Sequence, residues 1–337
     1  MEPSPAPDGV TRPSAPAEGA RPEAGRVVLL AGGVGGSKLA DGLQALLGSR
    51  LTVIVNTADD LERHGLLVSP DHDTVMYTLA GIADPVQGWG IEGESFAAAT
   101  MLERLGERTW FRLGDRDLAV HLVRTRRLRE GERPTAIALD LQASLGVQAI
   151  ILPMTDAAVR TEVRVDDGWI EFQEYFVHRH QAPVVHELRL AGIEAAATTP
   201  EVRAALDALG SDELIVIGPS NPLVSISPIL AVPGVREGIA AARERGVTVV
   251  AVSGIIGGKA VRGPADRMLS SLGHEPSALG VARIYAGVAD SFVLDLADRD
   301  LAPAVAALGF QPVVLPTVMA DPAGRRRLAR DLLAAFG

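Results

Sequence analysis

Cysteine is absent from the 337 residues, which excludes disulfides, iron–sulfur clusters and thiolate zinc sites together. Basic charge is in deficit. Lys and Arg number 32 against 42 Asp and Glu, a net charge of −10, so the broad electrostatic footprint of a nucleic-acid binder is missing and no nucleic-acid partner is expected. No apolar run approaches the ~20 residues that span a bilayer, so no membrane partner is expected either. The opening residues contain no apolar h-region of a secretory signal, which makes the cytoplasm the expected compartment. Aromatic residues are few, at 4%. In their place stand hydrophobic residues at 47%, with 35 Gly and 22 Pro: a chain of Ala, Leu and Val with many permissive turns, able to bury a sizeable core.

Residues 1–25 hold six of the 22 prolines and almost nothing apolar beyond Ala. Such a stretch cannot bury enough surface to offset its ordering entropy, and a disordered tail is expected. The rest, 26–337, reads as one domain. Arg26–Ala31 is a short continuous apolar run, the pattern of a strand buried on both faces. Glycines follow, then Leu39, Leu43, Leu46 and Leu47 at helical spacing, then the strand Leu51–Asn56. A strand, glycine loop, helix and strand in this order build a parallel sheet with right-handed crossovers. Further buried strands are expected at Gln148–Leu152, Glu213–Ile217, Val247–Val252, Arg283–Ala286, Phe292–Leu296 and Pro312–Leu315. The last helix is expected at Arg325–Phe336. Val159–Val177 alternates and breaks at Asp166-Asp167-Gly168, a hairpin signal. Residues ~90–145 read as an inserted helical region. The expected fold is therefore α/β: a Rossmann-like, three-layer, mostly parallel sheet with an inserted helical region and a small β-hairpin.

Several polar loops fall at the carboxyl ends of these strands, where ligands of open α/β sheets bind. Gly32–Gly36 lies between a strand and a helix, so its amides converge on a helix N-terminus that favours an anion. It breaks the dinucleotide fingerprint, because Lys38 occupies the third glycine position, and it is no Walker A loop. Asn56-Thr57-Ala58-Asp59-Asp60 ends the second strand with two carboxylates. Mg2+ binds one or two carboxylates together with substrate phosphates; an Asp N-cap is the plainer reading. In Ser69-Pro70-Asp71-His72-Asp73-Thr74 one Asp serves as an ordinary cap, leaving the other free for a ligand. Arg112-Leu113-Gly114-Asp115-Arg116-Asp117 is either a solvated charged face or an arginine grip on a flat or phosphorylated ligand. Ile217-Gly218-Pro219-Ser220-Asn221-Pro222 is a stiff strand-end turn with small polar side chains. Ser253-Gly254-Ile255-Ile256-Gly257-Gly258-Lys259, leading to Arg262, places two cations where an anion would dock. Taken together these loops point to a phosphate-bearing, nucleotide-type substrate and a divalent cation.

In these segments the chain resembles the CofD/FbiA family, the 2-phospho-L-lactate or phosphoenolpyruvate transferases of coenzyme F-420 biosynthesis. The matching stretches are AGGVGGSKLADGL at 31–43, VNTADDL at 55–61, SPDHDTVMYTLAG at 69–81, Trp89-Gly90-Ile91, RLGDRDLAVHLVR at 112–124, LPMTD at 152–156, FQEYFV at 172–177, IGPSNPLVSISPIL at 217–230 and VSGIIGGKAVRGPA at 252–265. The resemblance implies a donor that is a guanylyl diphosphate conjugate of 2-phospho-L-lactate or of phosphoenolpyruvate. The acceptor it implies is the deazaflavin FO, whose terminal ribityl hydroxyl displaces GMP to give F-420-0 or its dehydro form. Features closer to bacterial members favour the phosphoenolpyruvate-derived donor.

The resemblance assigns Asp73 and Arg112 to FO and Asp59 to Mg2+; the strand-end doublet itself offers Asp60 as the second carboxylate for that ion. It assigns Gly33, Gly35, Gly36, Ser220 and Asn221 to the nucleotide and diphosphate, where Lys259 or Arg262 would steady the leaving phosphate. Asp59 or Asp73 is the expected proton acceptor, and a homodimer is implied. Many members carry Ser-Pro-Ile-Ile where this chain has Ser253-Gly254-Ile255-Ile256, which puts the geometry of that loop in question. The competing readings are a nucleotide-sugar-binding regulator of the gluconeogenesis-factor type from the same superfamily and, against the broken glycine spacing, an NAD-dependent oxidoreductase.

Overall fold

The structure, a computed structural model, describes residues 25–337. The expected tail therefore lies, Gly25 apart, outside the described residues. Seven strands form one parallel sheet: β1 Val27–Ala31, β2 Leu51–Val55, β3 Ile150–Pro153, β4 Leu214–Ile217, β5 Thr248–Val252, β6 Ser291–Asp295 and β7 Gln311–Leu315. Their spatial order is 3-2-1-4-5-6-7. The chain builds outward from β1 in one direction, then returns to build from β4 in the other. This reversal between β1 and β4 opens a crevice at the carboxyl ends of the two strands.

The continuous apolar runs are explained by layering. Val27, Leu29 and Ala31 of β1 face one core layer, while Val28 and Leu30 face the other. Strands β4 and β5 repeat this: Leu214, Val216, Val250 and Val252 point to the first layer, and Ile215, Ile217, Val249 and Ala251 to the second. A sheet covered on both faces needs an apolar residue at every position, which is why no alternation was legible. Helix α1, Gly33–Leu47, covers the first face with the C-terminal helix Pro322–Phe336. Val235–Glu244 and Ala278–Tyr285 cover the second.

One expected strand is a helix. Arg283–Ala286 lies at the end of Ala278–Tyr285. Ser277 caps that helix by accepting the Gly280 amide at 3.1 Å, and Ala278, Val281, Ala282 and Tyr285 are its buried stripe. A short apolar run cannot by its own composition separate a buried strand from a buried helix. The hairpin at 166–168 is present: Arg160–Val165 pairs antiparallel with Gly168–Glu171. A third strand, Glu187–Ala191, joins it, and sequence reading had not anticipated it. Between β2 and β3 lie α2 Pro70–Leu79, α3 Ala97–Arg104, α4 Asp115–Arg129 and α5 Pro134–Ser144. Among the described residues no single helix is long and apolar enough to cross a membrane.

Candidate active site at the strand reversal

A cavity of about 460 Å³ opens at the carboxyl ends of β1 and β4. Its floor is the start of α1. Gly33 opens that helix at φ +57°, a conformation that costs an L side chain but not glycine. The floor is packed backbone to backbone: a Cβ on Gly35 would lie 2.3 Å from Pro219 O, and one on Gly36 would meet Ser220 Oγ at 2.6 Å. Ser220 holds the two loops in register, accepting the Gly32 amide at 3.0 Å and donating to Gly32 O at 2.8 Å. Gly33, Gly35, Ser220 and Asn221 line the cavity, while Gly36 is buried behind it. Asn221 Oδ1 accepts the Leu223 amide at 3.0 Å, closing the turn after β4.

The β2 end supplies carboxylates. Asn56 is fully buried and organises them: its Nδ2 donates to Asp71 Oδ2 at 3.0 Å and to Val224 O at 3.2 Å, and its Oδ1 accepts the Ala58 amide. Asp59 lines the cavity, and its buried Oδ1 has no hydrogen-bond partner. Burial, joined by the charge of Asp71, pushes the Asp59 carboxyl well above the usual range. Burial likewise pushes Asp71 up to about 6, against hydrogen bonds from Asn56, Ser225 and the Gly33 amide. Asp60 turns away from Asp59 and lines a separate, smaller cavity. It accepts Ser69 Oγ at 2.7 Å, and burial pushes it up to about 7, opposed by Arg160 and by the Ser69 hydrogen bond.

Helix α2 carries Asp71 and Asp73 in its first turn. Two residues apart on a helix, they diverge. Asp71 reaches the glycine loop, and Asp73 reaches α4, where Asp117, His121 and Arg124 share one face at i, i+4 and i+7. Arg124 grips Asp73 with both terminal nitrogens, Nη1 to Oδ2 at 3.0 Å and Nη2 to Oδ1. His121 bridges the two acids, with Nδ1 3.7 Å from Asp73 Oδ2 and Nε2 3.2 Å from Asp117 Oδ1. Tyr77 donates to Asp117 at 2.6 Å. Burial alone would raise the Asp73 pKa; the charge of Arg124, with His72 and His121, outweighs it and holds the carboxyl below the usual carboxylate range. Asp73, Asp117 and His121 present ligand atoms within 4.8 Å of one another and could hold a metal ion, although Arg124 already neutralises Asp73.

Arg112 lines the cavity with its guanidinium 4.1 Å over the Phe96 ring. Phe111, Phe172 and Phe176 add aromatic wall, the last two stacked at 5.5 Å and 7°. Arg262 lines the rim but is engaged with backbone, donating to Gln87 O and, at 3.1 Å, to Val86 O. Lys259 is exposed and lies outside the cavity lining. The Ser253–Ile256 turn keeps its shape without proline: Ser253 Oγ donates to Ile255 O at 2.8 Å and accepts the Ile255 amide at 3.1 Å.

Sequence reading passed over several lining residues. Lys38 was noted only as a departure from the dinucleotide fingerprint, yet it is the cation inside the cavity beside the glycine loop; burial, then Arg325 and Arg262, lowers its pKa. Tyr77 and the Asp117–His121–Arg124 face were also missed, although the 4- and 3-residue spacing on a helix was there to read.

The family model for 2-phospho-L-lactate transferase CofD matches residues 27–314. The chain belongs to the CofD family. It is similar to a phosphoenolpyruvate transferase of Streptomyces griseus, 43% identical over 91% of this chain and 97% of the relative. It is also similar to a 2-phospho-L-lactate transferase of Methanosarcina mazei, 38% identical over 92% of this chain and all of the relative. A solved UPF0052-family protein from Bacillus halodurans shares the fold, with a TM-score of 0.56 at 16% identity over 92% of this chain and 99% of that one. Like its CofD relatives, the protein is a transferase.

Proposed function

We propose that the chain moves a 2-phospho-L-lactyl or enolpyruvyl-phosphate group from its guanylyl diphosphate conjugate to the terminal hydroxyl of the deazaflavin FO. The hydroxyl oxygen forms a bond to the phosphorus bearing the three-carbon acid, the bond from that phosphorus to the bridging oxygen of GMP breaks, and the hydroxyl proton passes to a carboxylate. The observation that carries this reading is one cavity lined both by an anion-seeking helix start with Lys38 and by an aromatic wall with Arg112. A diphosphate suits the first and a flat heterocycle the second. Relatives named as phosphoenolpyruvate and 2-phospho-L-lactate transferases stand at 43% and 38% identity, so both donors remain in the proposal, with the enolpyruvyl donor preferred.

The residues divide the work. The Gly35 amide and Lys38 would hold the diphosphate beside Gly33, whose own amide is engaged with Asp71, with Ser220 fixing the loops around it. Arg112 and Asp73 would hold FO, and Arg262 would brace the rim. Asp59 fits a cation, since its buried oxygen lacks a partner, and all-oxygen ligation with substrate phosphate is what Mg2+ prefers. Bound there, Mg2+ supplies charge neutralisation on the diphosphate. Of the two carboxylates considered as proton acceptor, Asp59 would be engaged with the cation. Asp73, held ionised by Arg124, is the better hydrogen-bond acceptor for the FO hydroxyl. In-line positioning of hydroxyl and phosphorus then supplies much of the acceleration. A homodimer in the cytoplasm completes the reading.

The test is mass spectrometry of the product from FO with each guanylyl donor: the lactyl product carries two more hydrogens than the enolpyruvyl one. Turnover of neither donor, with a UDP-sugar bound instead, sinks the proposal in favour of the regulatory reading.

A further inference from the structure

Behind the carboxylates lies the second cavity, about 210 Å³, lined by Thr57, Asp60, His72, Arg124 and Arg160 among others. Three buried atoms from these residues have no hydrogen-bond partner: Thr57 Oγ1, Asp60 Oδ1 and His72 Nε2. Buried polar atoms almost always find partners, so three orphans on one small chamber point to an occupant that supplies what they lack.

Their chemistry says what kind. His72 Nδ1 lies 3.5 Å from Asp73 Oδ1. With Nδ1 turned to that carboxylate, Nε2 is the ring atom left without a partner. A carboxylate behind the far nitrogen is the arrangement that orients histidine metal ligands. Asp60 has one oxygen occupied by Ser69 and the other free, and the Thr57 hydroxyl adds oxygen lone pairs. Imidazole nitrogen with carboxylate and hydroxyl oxygen suits a borderline divalent ion rather than Mg2+.

We propose that this chamber is a second cation site, separate from the one lined by Asp59, which takes a transition-metal ion of the Zn2+ or Co2+ class through His72, Asp60 and Thr57, with water completing the shell. Arg124 does not oppose it, because its charge is matched by Asp73. Arg160 does oppose it; its Nη1 is tied to Val159 O at 2.8 Å at the chamber wall. Through His72 and Asp73 the ion would brace the same carboxylate that the larger cavity uses.

The test titrates Co2+ into the full-length protein, reading visible absorption and calorimetry. A single-equivalent ligand-field band is expected. It should weaken about tenfold or more in affinity in both His72→Leu and Asp60→Asn, persist in Asp59→Asn, and tighten in Arg160→Gln. His72→Gln keeps a donor toward Asp73 and should lose the band while melting as the parent protein does, which separates a lost ligand from a lost fold. Absence of a band overturns the proposal. So does a band whose affinity is unchanged in His72→Leu and Asp60→Asn, or one lost in His121→Leu alone, which would assign the ion to the Asp73–Asp117–His121 group.

Discussion

Asp59 and Asp60 are neighbours in sequence, and both follow the same strand, yet they open onto different cavities. The larger one is built from the ends of β1, β2 and β4, with glycine backbone, an aromatic wall and cations at its edge. The smaller one is walled by α4, α5 and the hairpin strand that carries Arg160, and its polar lining combines buried Thr57, Asp60 and His72 with half-buried Asp156 and Arg160. The difference teaches that a doublet of acids at a strand end is not one ligand set. Both lie in the turn that follows β2, where the Asp60 amide returns to Thr57 O at 3.3 Å, so the turn and not the strand sets which cavity each side chain joins.

The strongest way to break this comparison is to remove the side chain on which both cavities lean. Arg124 lines the smaller one and pairs with Asp73, which lines the larger. Arg124→Ala leaves a buried carboxylate unpaired and should cost about 3–5 kcal/mol of stability by chemical denaturation. Adding Asp73→Asn should recover most of it. A double variant no more stable than the single would show that the pair is not the keystone between the two cavities.

Asp59→Asn should act on one side only. Turnover with Mg2+ is expected to fall about 10²–10³-fold, the range for removing one group that stabilises transition-state charge, while the melting temperature holds or rises because a buried, unpartnered charge is gone. Wild-type rates in this variant would remove Asp59 from the chemistry. Arg112→Ala, at the aromatic wall, should weaken FO binding about tenfold, as loss of one charge-assisted contact would. Deazaflavin fluorescence reads this directly, and an unchanged affinity would detach Arg112 from the acceptor.

Asp60→Asn sharpens the other side, with the smallest effect. The folded pKa of Asp60 is about 7, against roughly 3.9 in the unfolded chain. Between those values the native state holds the extra proton, so stability falls as pH rises through that window, and the cost is complete above it. A side chain that cannot ionise escapes this cost. The variant should therefore melt a few degrees above the parent at pH 8 and about level with it near pH 4. An equal gain at both pH values would mean that ionisation of Asp60 is not the cause.

Much of the architecture was legible. The apolar runs of β1, β2, β4 and β5 were unambiguous because a doubly covered sheet demands apolar residues throughout, and the glycine loop between β1 and α1 marked the end at which the larger cavity opens. The run at Arg283–Ala286 misled because a helix of eight residues, buried along one stripe, leaves the same local composition as a strand. Glu187–Ala191 escaped because a half-exposed strand at the edge of a small sheet carries no long apolar run.

At the cavity, the chain order alone sufficed to gather Gly33, Asp59, Ser220 and Arg262, since each follows a strand of one parallel sheet and such loops converge. Family membership, too, was readable from contiguous segments. What no linear reading could supply was direction: that Asp60 turns its back on Asp59, that Arg124 spends its charge on Asp73, that Lys38 and not Lys259 lines the cavity, and that His72, with an unpartnered Nε2, lines the smaller one. Those facts depend on which layer a side chain enters and on partners dozens of residues away, and packing of helices onto the sheet is the step at which both are settled.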